Sequence, residues 1–454
     1  MIALRAKSRV PSVILPEAVP AGCVGGLGTS HKELTVMPYA SDGAALGQPE
    51  GRPRSYCLNG KTAMNRRQIL QSLSAACVLV GAAGLSACQS QRAQSSLARD
   101  DFRTRLPEPW RSQVMDPALQ FRLRWTAFDP RRTRWSDGVL TQSEGLADQT
   151  WFAPGSWVKL PLALMALEQI EAAGLGLDAR IELSEPPVSG EWSIQEPSTE
   201  GFLKTLRRVF VVSDNVAANR LYEFLGQDVI HQRLAELGYP NARIVSRMGS
   251  PNPNLNRQSV AVVLRNAVGG VRLTIPQRVS RTIRRFPHGA ALAGRGWFDG
   301  QQIVSGAHDF SESNYLDIAD MHQMLLALIC PEAVPAAQRW QISEASRLAV
   351  LTEMARWPAE SPDPPYSPEA FPANYAKFLL PNGVQRGHVR LYGKSGQAYG
   401  YLNDAEALLN TETGTLMVVS TSIYVNADGV LNDDAYDYEQ VALPVFSAIA
   451  DRFC

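Results

Sequence analysis

Leu119-Gln120-Phe121-Arg122-Leu123-Arg124-Trp125 alternates apolar and polar positions with period two, which predicts a strand. Asp129-Pro130 turns the chain, and Thr133 to Leu140 returns as its partner. The period then changes. Val158, Leu160, Leu162, Leu164, Met165, Leu167 and Ile170 are the apolar positions of a long helix that starts just after Pro154-Gly155 and ends near Gly174. Arg180-Ile181-Glu182-Leu183 reads as a short strand. Residues 199–239 read as helices with three apolar groups: Leu203 to Val211, Val216 to Phe224, and Val229 to Leu237. Ser213-Asp214-Asn215 separates the first two, where Asp or Asn would serve as a helix cap. Residues 240–315 carry many Pro, Gly and Arg residues and few clear periods. Asp317 to Cys330 and Ser343 to Trp357 are amphipathic helices, with a Pro-rich loop over 358–372. Val389 to Gly393, Ala405 to Leu409 and Leu416 to Tyr424 read as three strands, the last two joined by the hairpin turn Thr411-Glu412-Thr413-Gly414. A final helix runs from about Tyr438 to Phe453.

Strands at both ends with helices between them predict an α/β (α+β) fold. Its antiparallel sheet is built from both chain ends and flanked by helices, with a mostly helical domain inserted. The expected division is a sheet domain over 113–184 and 386–454 and a helical domain with insertions over 185–385. A site is expected in the crevice between them.

The N-terminal part has a different character. Residues 1–63 are rich in Gly, Pro and small residues and read as a non-native or disordered leader. Met64-Asn65-Arg66-Arg67 then opens an apolar stretch, Ile69 to Gly84, that ends at Leu85-Ser86-Ala87-Cys88. A basic start, a short apolar run and a small-residue cleavage site make a secretory signal over 64–88. Leu-Ser-Ala-Cys resembles a bacterial lipobox, with Cys88 as the lipidated residue, and Arg66-Arg67 resembles a twin-arginine signal. Residues 89–112 follow as a tether. The expected location is the periplasm, lipid-anchored to a membrane. Cys330 and Cys454 either pair there or remain separate buried thiols.

The chain has 454 residues, 44 basic and 44 acidic side chains and no net formal charge, so nothing in its charge balance calls for nucleic acid. No C-x-x-C or H-E-x-x-H spacing occurs, and neither a metal nor a cofactor is expected. Arginine greatly outnumbers lysine; after residue 88 the only lysines are Lys159, Lys204, Lys377 and Lys394. Two of these four sit in sequence motifs that can carry chemistry.

Ser156 and Lys159 lie three apart at the start of the long helix, so hydroxyl and amine share a face. A serine becomes a nucleophile when a base takes its proton, and a lysine kept neutral by burial or a second cation is such a base. Ser213-Asp214-Asn215 lies between two helices, and Lys394-Ser395-Gly396 at the end of a strand. These three motifs, in this order and context, resemble the set of class A β-lactamases and penicillin-binding proteins, whose third motif more often reads Lys-Thr-Gly, Ser offering the same hydroxyl.

Over about residues 115–454, the middle apart, the chain therefore resembles the serine β-lactamase and penicillin-binding family, closest to its class A branch. The resemblance implies Ser156 as nucleophile, Lys159 as its neighbouring base and Ser213 as proton relay. It implies that Asn215 holds the substrate's amide side chain and Lys159. Lys394 and Ser395 bind the substrate carboxylate, and Lys394 helps keep Lys159 neutral. Gly396 permits close approach of the substrate. The backbone N–H groups of Ser156 and Gln397 form the oxyanion hole. Class A enzymes also carry a glutamate that activates the deacylating water, in a pattern ending Leu-Asn. The best match is Asn252-Pro253-Asn254-Leu255-Asn256, which places Asn252 at the glutamate position and Asn252 and Asn256 among the substrate-facing residues. Glu236, Asp309 and Glu312 are the other carboxylates considered. The implied partner is a small molecule, a β-lactam or a peptidoglycan stem peptide, and the chain is expected to be a monomer. One reading is a hydrolase that turns over; the other is a binding protein that keeps its acyl group.

Overall fold

The computed structural model describes residues 102–128, 139–145, 150–185, 198–250, 252–379 and 387–453. The leader, the signal and lipobox with Cys88, most of the tether, and Cys454 lie outside the described residues, so the Cys330–Cys454 alternative is left as it was. Cys330 itself is buried.

The central sheet has five antiparallel strands. They are β1 (Arg122–Phe128) and β2 (Val139–Gly145) from the N-terminal side and β13 (Val389–Ala398), β14 (Tyr401–Asn410) and β15 (Leu416–Tyr424) from the C-terminal side. Their order is β13-β14-β15-β1-β2, so the two chain ends meet at the β15–β1 pair, in the register Trp125↔Val419. Of the return strand expected from Thr133 to Leu140, residues 133–138 lie outside the described residues. Tyr399 (φ 52°) and Gly400 (φ 84°) form the two-residue loop between β13 and β14. Two consecutive positive φ values are what a type I′ hairpin needs, and this turn fixes the pairing of ten residues on each strand.

Both faces of the sheet are covered. On one face, α1 (Trp110–Met115) and the C-terminal α9 (Leu443–Phe453) seal a core of Leu123, Trp125, Leu391, Val419, Phe446 and Ile449. On the other lies a larger core formed with α2 (Lys159–Ala172), α3 (Phe202–Val211), α4 (Asn215–Leu225) and α5 (Gln227–Glu236). Into it pack α7 (Ile318–Ile329) and α8 (Glu344–Met354), after the single turn α6 (Pro253–Asn256). α2 shows why it is central: its buried residues go almost all round the helix, from Leu160 to Ile170.

The division expected at residues 184/185 does not follow the strand pairing. β3 (Arg180–Leu183) pairs with β4 (Thr199–Gly201) and β6 (Val262–Arg265) in a separate four-stranded sheet and not with the central one. α7, inside the range expected to be helical and inserted, lies on the central sheet. Its His322 bridges Thr126 (2.7 Å) and Ser420 (3.0 Å). Residues 258–309, unreadable in the sequence, form short strands. β5 (Gln258–Ser259) and β6 run up and β7 (Val271–Ile275) and β8 (Arg278–Val279) run back as one ribbon, with β7 at the sheet's edge. β9 (Leu292–Ala293), β10 (Gly296–Phe298), β11 (Ile303–Ser305) and β12 (His308–Asp309) follow. β10 also pairs with β16 (Val430–Leu431), which ties this segment to the C-terminal half.

Candidate active site

Gly155 begins the site. Its φ of +52° belongs to a region that side chains rarely adopt, and a Cβ there would lie 2.7 Å from the Gln397 backbone nitrogen. From the opposite side, a Cβ on Gly396 would lie 2.3 Å from the Pro154 oxygen and 3.1 Å from the Ser156 nitrogen. The two glycines therefore let the edge strand β13 press backbone to backbone against the turn that carries Ser156. This brings the Ser156 and Gln397 N–H groups together.

That turn is not the first turn of an α-helix, as the spacing suggested. Gly155–Val158 is a 3-10 turn, and α2 begins at Lys159. A 3-10 turn has three residues per turn, so Ser156 and Lys159 still lie on one side. Ser156 is half-buried and Lys159 fully buried. The Lys159 Nζ donates to the Ser213 carbonyl oxygen (2.5 Å), to Asn215 Oδ1 (2.6 Å) and, at 3.3 Å, to Ser213 Oγ.

The loop that supplies those acceptors is held by its neighbours. Asp214 is the cap of α4, accepting from Ala217 N at 2.9 Å, so the capping role belongs to Asp214 while the flanking residues face Lys159. Arg208 grips the outer Asp214 oxygen with two nitrogens, at 2.9 and 3.1 Å, and reaches Glu200 at 2.8 Å. Ser213 sits at φ +56°, a left-handed conformation that costs a non-glycine residue about 1–3 kcal/mol. The Arg208–Asp214–Glu200 network braces that loop. Arg208 and Glu200 were not singled out in the sequence, where both fall in a segment read only as helix.

Lys394, Ser395 and Gly396 lie inside β13, which continues to Ala398, and not at its end. β13 is the edge strand on the cleft side. Lys394 is buried and donates to Ser213 Oγ (2.8 Å) and the Ser395 carbonyl (2.8 Å). Burial first, then the nearby Lys159 cation, pushes its ammonium well below a lysine's ordinary pKa, and Asp404 and Glu406 oppose this. Ser395 is buried opposite Asp404 in the ladder, while Gln397 is exposed. The Ser213 hydroxyl thus stands between the two lysines, and all three motifs meet at it.

Behind β13 is a second ionisable group that the sequence reading passed over. Asp404 and Glu406 on β14 are fully buried, and a Cβ on Gly393 would strike the Glu406 carboxylate at 2.6 Å. Asp404 Oδ2 accepts from Phe378 N (2.6 Å) and Leu379 N (2.8 Å). Lys377, also buried, donates to the Met354 and Leu391 carbonyls. Burial raises the pKa of both carboxyls, and they lie close enough to share a proton. The signal was available: Asn403, Asp404 and Glu406 interrupt the apolar run of the strand before its polar end at Asn410.

Asn252 and Asn256 make local bonds. Asn252 is exposed and caps α6, accepting from Asn254 N and Leu255 N. Asn256 is buried, bonded to Arg247 N (3.1 Å) and Ser250 O (2.8 Å). Both amide oxygens thus accept from backbone N–H groups within residues 247–256. The other three carboxylates have hydrogen-bond partners of their own. Glu236 bonds Gln232 and Arg233, Asp309 accepts from Ser311, and Glu312 lies between Arg257 and Arg285. The segment 286–316 packs beside the site: Phe310 stacks on Trp151 (4.1 Å), and Trp297 lies 5.6 Å from Tyr399 at the end of β13.

The model of the β-lactamase enzyme family matches residues 139–345. That span includes the first two motifs and stops short of the third, which the sheet places beside them. Among solved structures, the chain is similar to a β-lactamase from Xanthomonas campestris pv. campestris, at 14 % identity and a TM-score of 0.45 over 75 % of this chain and 95 % of that one. It is similar to a mutant of PBP-A in an acyl-enzyme complex with penicillin G, at 16 % identity and a TM-score of 0.45 over 76 % and 96 %. It is also similar to a β-lactamase from Sphaerobacter thermophilus, at 15 % identity and a TM-score of 0.41 over 75 % and 92 %. No curated protein matches the sequence. Over residues 139–345 the chain is thus similar to the β-lactamase enzyme family.

Proposed function

We propose that the chain is a serine hydrolase related to class A β-lactamases that acylates on Ser156 with a β-lactam or a related amide or ester. The observation that carries this reading is the cluster around Ser213 Oγ, which joins Lys159 and Lys394 beside the Gly155–Gly396 contact. In this mechanism Lys159 takes the Ser156 proton as the hydroxyl attacks the carbonyl carbon. The Ser156 and Gln397 N–H groups stabilise the oxyanion. The proton passes through Ser213 to the leaving nitrogen as the C–N bond breaks. A substrate laid along the free edge of β13 meets Lys394 and Ser395 with its carboxylate and Asn215 with its amide. Water then releases the acyl group. Export through residues 64–88 and lipidation of Cys88 would place this chemistry in the periplasm.

A second reading, a peptidoglycan-directed penicillin-binding protein that deacylates slowly, is favoured by one observation. The position expected to hold the water-activating glutamate is Asn252, and its side chain caps α6. The test is a fluorescent penicillin followed by gel and intact mass over time. An adduct that forms and clears, with hydrolysed drug in solution, supports the hydrolase; an adduct that persists supports the second reading. Ser156→Ala is expected to abolish labelling altogether, and labelling that survives it refutes the nucleophile.

A further inference from the structure

Between Leu237 and Phe298 the chain has ten arginines and not one Asp or Glu, although the whole sequence is neutral. The arginines occur one or two at a time, so no basic run is visible. Five of them find carboxylates on other segments: Arg247 with Glu223, Arg257 and Arg285 with Glu312, Arg265 with Glu182 and Arg284 with Asp228. Among the described residues, Arg281 and Arg295 are exposed without such a counter-charge. Most of the exposed large apolar side chains lie in this stretch or just after it. Of nine large ones among the described residues, eight lie between Val268 and Val304.

The ribbon β5–β8 shows how they are presented. Asn266 closes its turn, with Gly270 N on Asn266 Oδ1 at 2.8 Å, and this holds Val268 at the tip, 91 % exposed. Val271 and Leu273 follow on β7, which has no strand beyond it in its sheet, and then Val279 and Ile283 on either side of Arg281. An apolar tip and edge interleaved with arginine suits a surface that is anionic outside and apolar beneath. Arg278 and Arg284 are turned onto the Glu223–Leu225 carbonyls and Asp228, so the exposed Arg272, Arg281 and Arg285 would meet headgroup phosphates while the aliphatic side chains enter the acyl boundary. A soluble polyanion would use the arginines but not the aliphatic groups. A second copy of this chain would bring the same positive charge to the contact. The charge and the apolar tip thus single out one occupant.

We propose that the ribbon and the segment after it, residues 266–285, form a membrane-docking surface for anionic phospholipid. It is separate from the cleft and acts alongside any lipid on Cys88. The test is hydrogen–deuterium exchange of the full chain on vesicles of phosphatidylglycerol mixed with phosphatidylcholine, against phosphatidylcholine alone. Reading peptides 266–285 makes the measurement independent of anchoring elsewhere. The expected result is exchange slowed about tenfold in those peptides on the anionic vesicles only. The double substitution Arg281→Glu with Ile283→Ser, on exposed positions, should remove that slowing while leaving exchange in α2 unchanged. No slowing on anionic vesicles overturns the proposal, as does equal slowing on both. Equal slowing by soluble polyphosphate, or slowing that needs only higher protein concentration, overturns it in favour of a polyanion or a second copy.

Discussion

The two faces of the β13–β14 strand pair bury opposite charges and treat them differently. On one face Lys394 points toward Ser213 and Lys159, and its hydrogen bonds go to neutral oxygens at 2.8 Å. On the other face, set by the pairings Gly393↔Glu406 and Ser395↔Asp404, two carboxyls lie beside Lys377. Asp404 has two backbone donors, whereas neither Glu406 oxygen meets a donor of its own. On the cleft face the Lys394 ammonium is thus pushed toward loss of its proton, and on the back face the carboxyls are pushed toward keeping theirs. In both cases burial is the leading cause. Buried charge within one sheet can therefore serve chemistry on one side and weigh on stability on the other.

The strongest way to break the cleft face is Gly396→Ala. The new methyl would meet the Pro154 oxygen, a backbone atom that cannot swing aside, and would push β13 off the Ser156 turn. Adduct formation with fluorescent penicillin should fall about a hundredfold, the usual cost of losing an oxyanion donor. An unchanged rate would mean that the close approach of the two backbones is not used. Lys394→Ala is expected to weaken reaction with carboxylate-bearing β-lactams by roughly ten- to a hundredfold and with neutral esters much less. Competition between the two substrate types reads the difference, and equal losses would deny Lys394 its carboxylate.

Glu406→Gln sharpens the contrast from the back face. A carboxyl whose pKa is raised on folding contributes stability that is whole below its unfolded value and lost as pH rises through its folded value. The parent should therefore lose on the order of 1–3 kcal/mol between acid and mildly alkaline pH that the glutamine variant keeps. Denaturant melts of both proteins at pH 5 and pH 8 measure it, and parallel losses would count against the buried carboxyl. His322 works in the opposite sense. Its pKa is pushed down to about 3 by burial, so its contribution is full above the unfolded value near 6.5 and fades as pH falls below it. The smallest effect is expected from Asn252→Asp. Asp caps a helix as well as Asn, so stability should stay within about 0.5 kcal/mol. Because the side chain is turned onto α6, the lifetime of the acyl adduct should hold within about twofold. A markedly shorter lifetime would show that a carboxylate at this position reaches the water.

Legibility followed period and burial. β1, α2, α7 and β15 were readable because one or both faces are buried and the apolar spacing says so. β13 was cut short at Gly393, since Lys394-Ser395-Gly396-Gln397 breaks the apolar pattern and the strand holds there by its ladder to β14. The strands of 258–309 were not readable because all but β6 and β7 are two or three residues long, too short to show an alternation, and β7 lies almost wholly in solvent. The three motifs could be found by residue type and order, and the turn at Gly155 by its Pro-Gly pair. The Arg208–Asp214–Glu200 brace, the capping use of Asn252 and the carboxyls behind β13 could not, for each depends on residues that only the folded chain brings near.

Hydrophobic period and local turn chemistry belong to the chain itself, and with them come the helices, the sheet built from both ends and the residue types of the site. They act over a few positions and need no partner far away. The register that sets Gly396 against Gly155, the hydroxyl that Ser213 places between two lysines, and the faces on which charges of either sign are buried come from contacts across hundreds of residues. Those arise from packing and desolvation, which no local pattern contains.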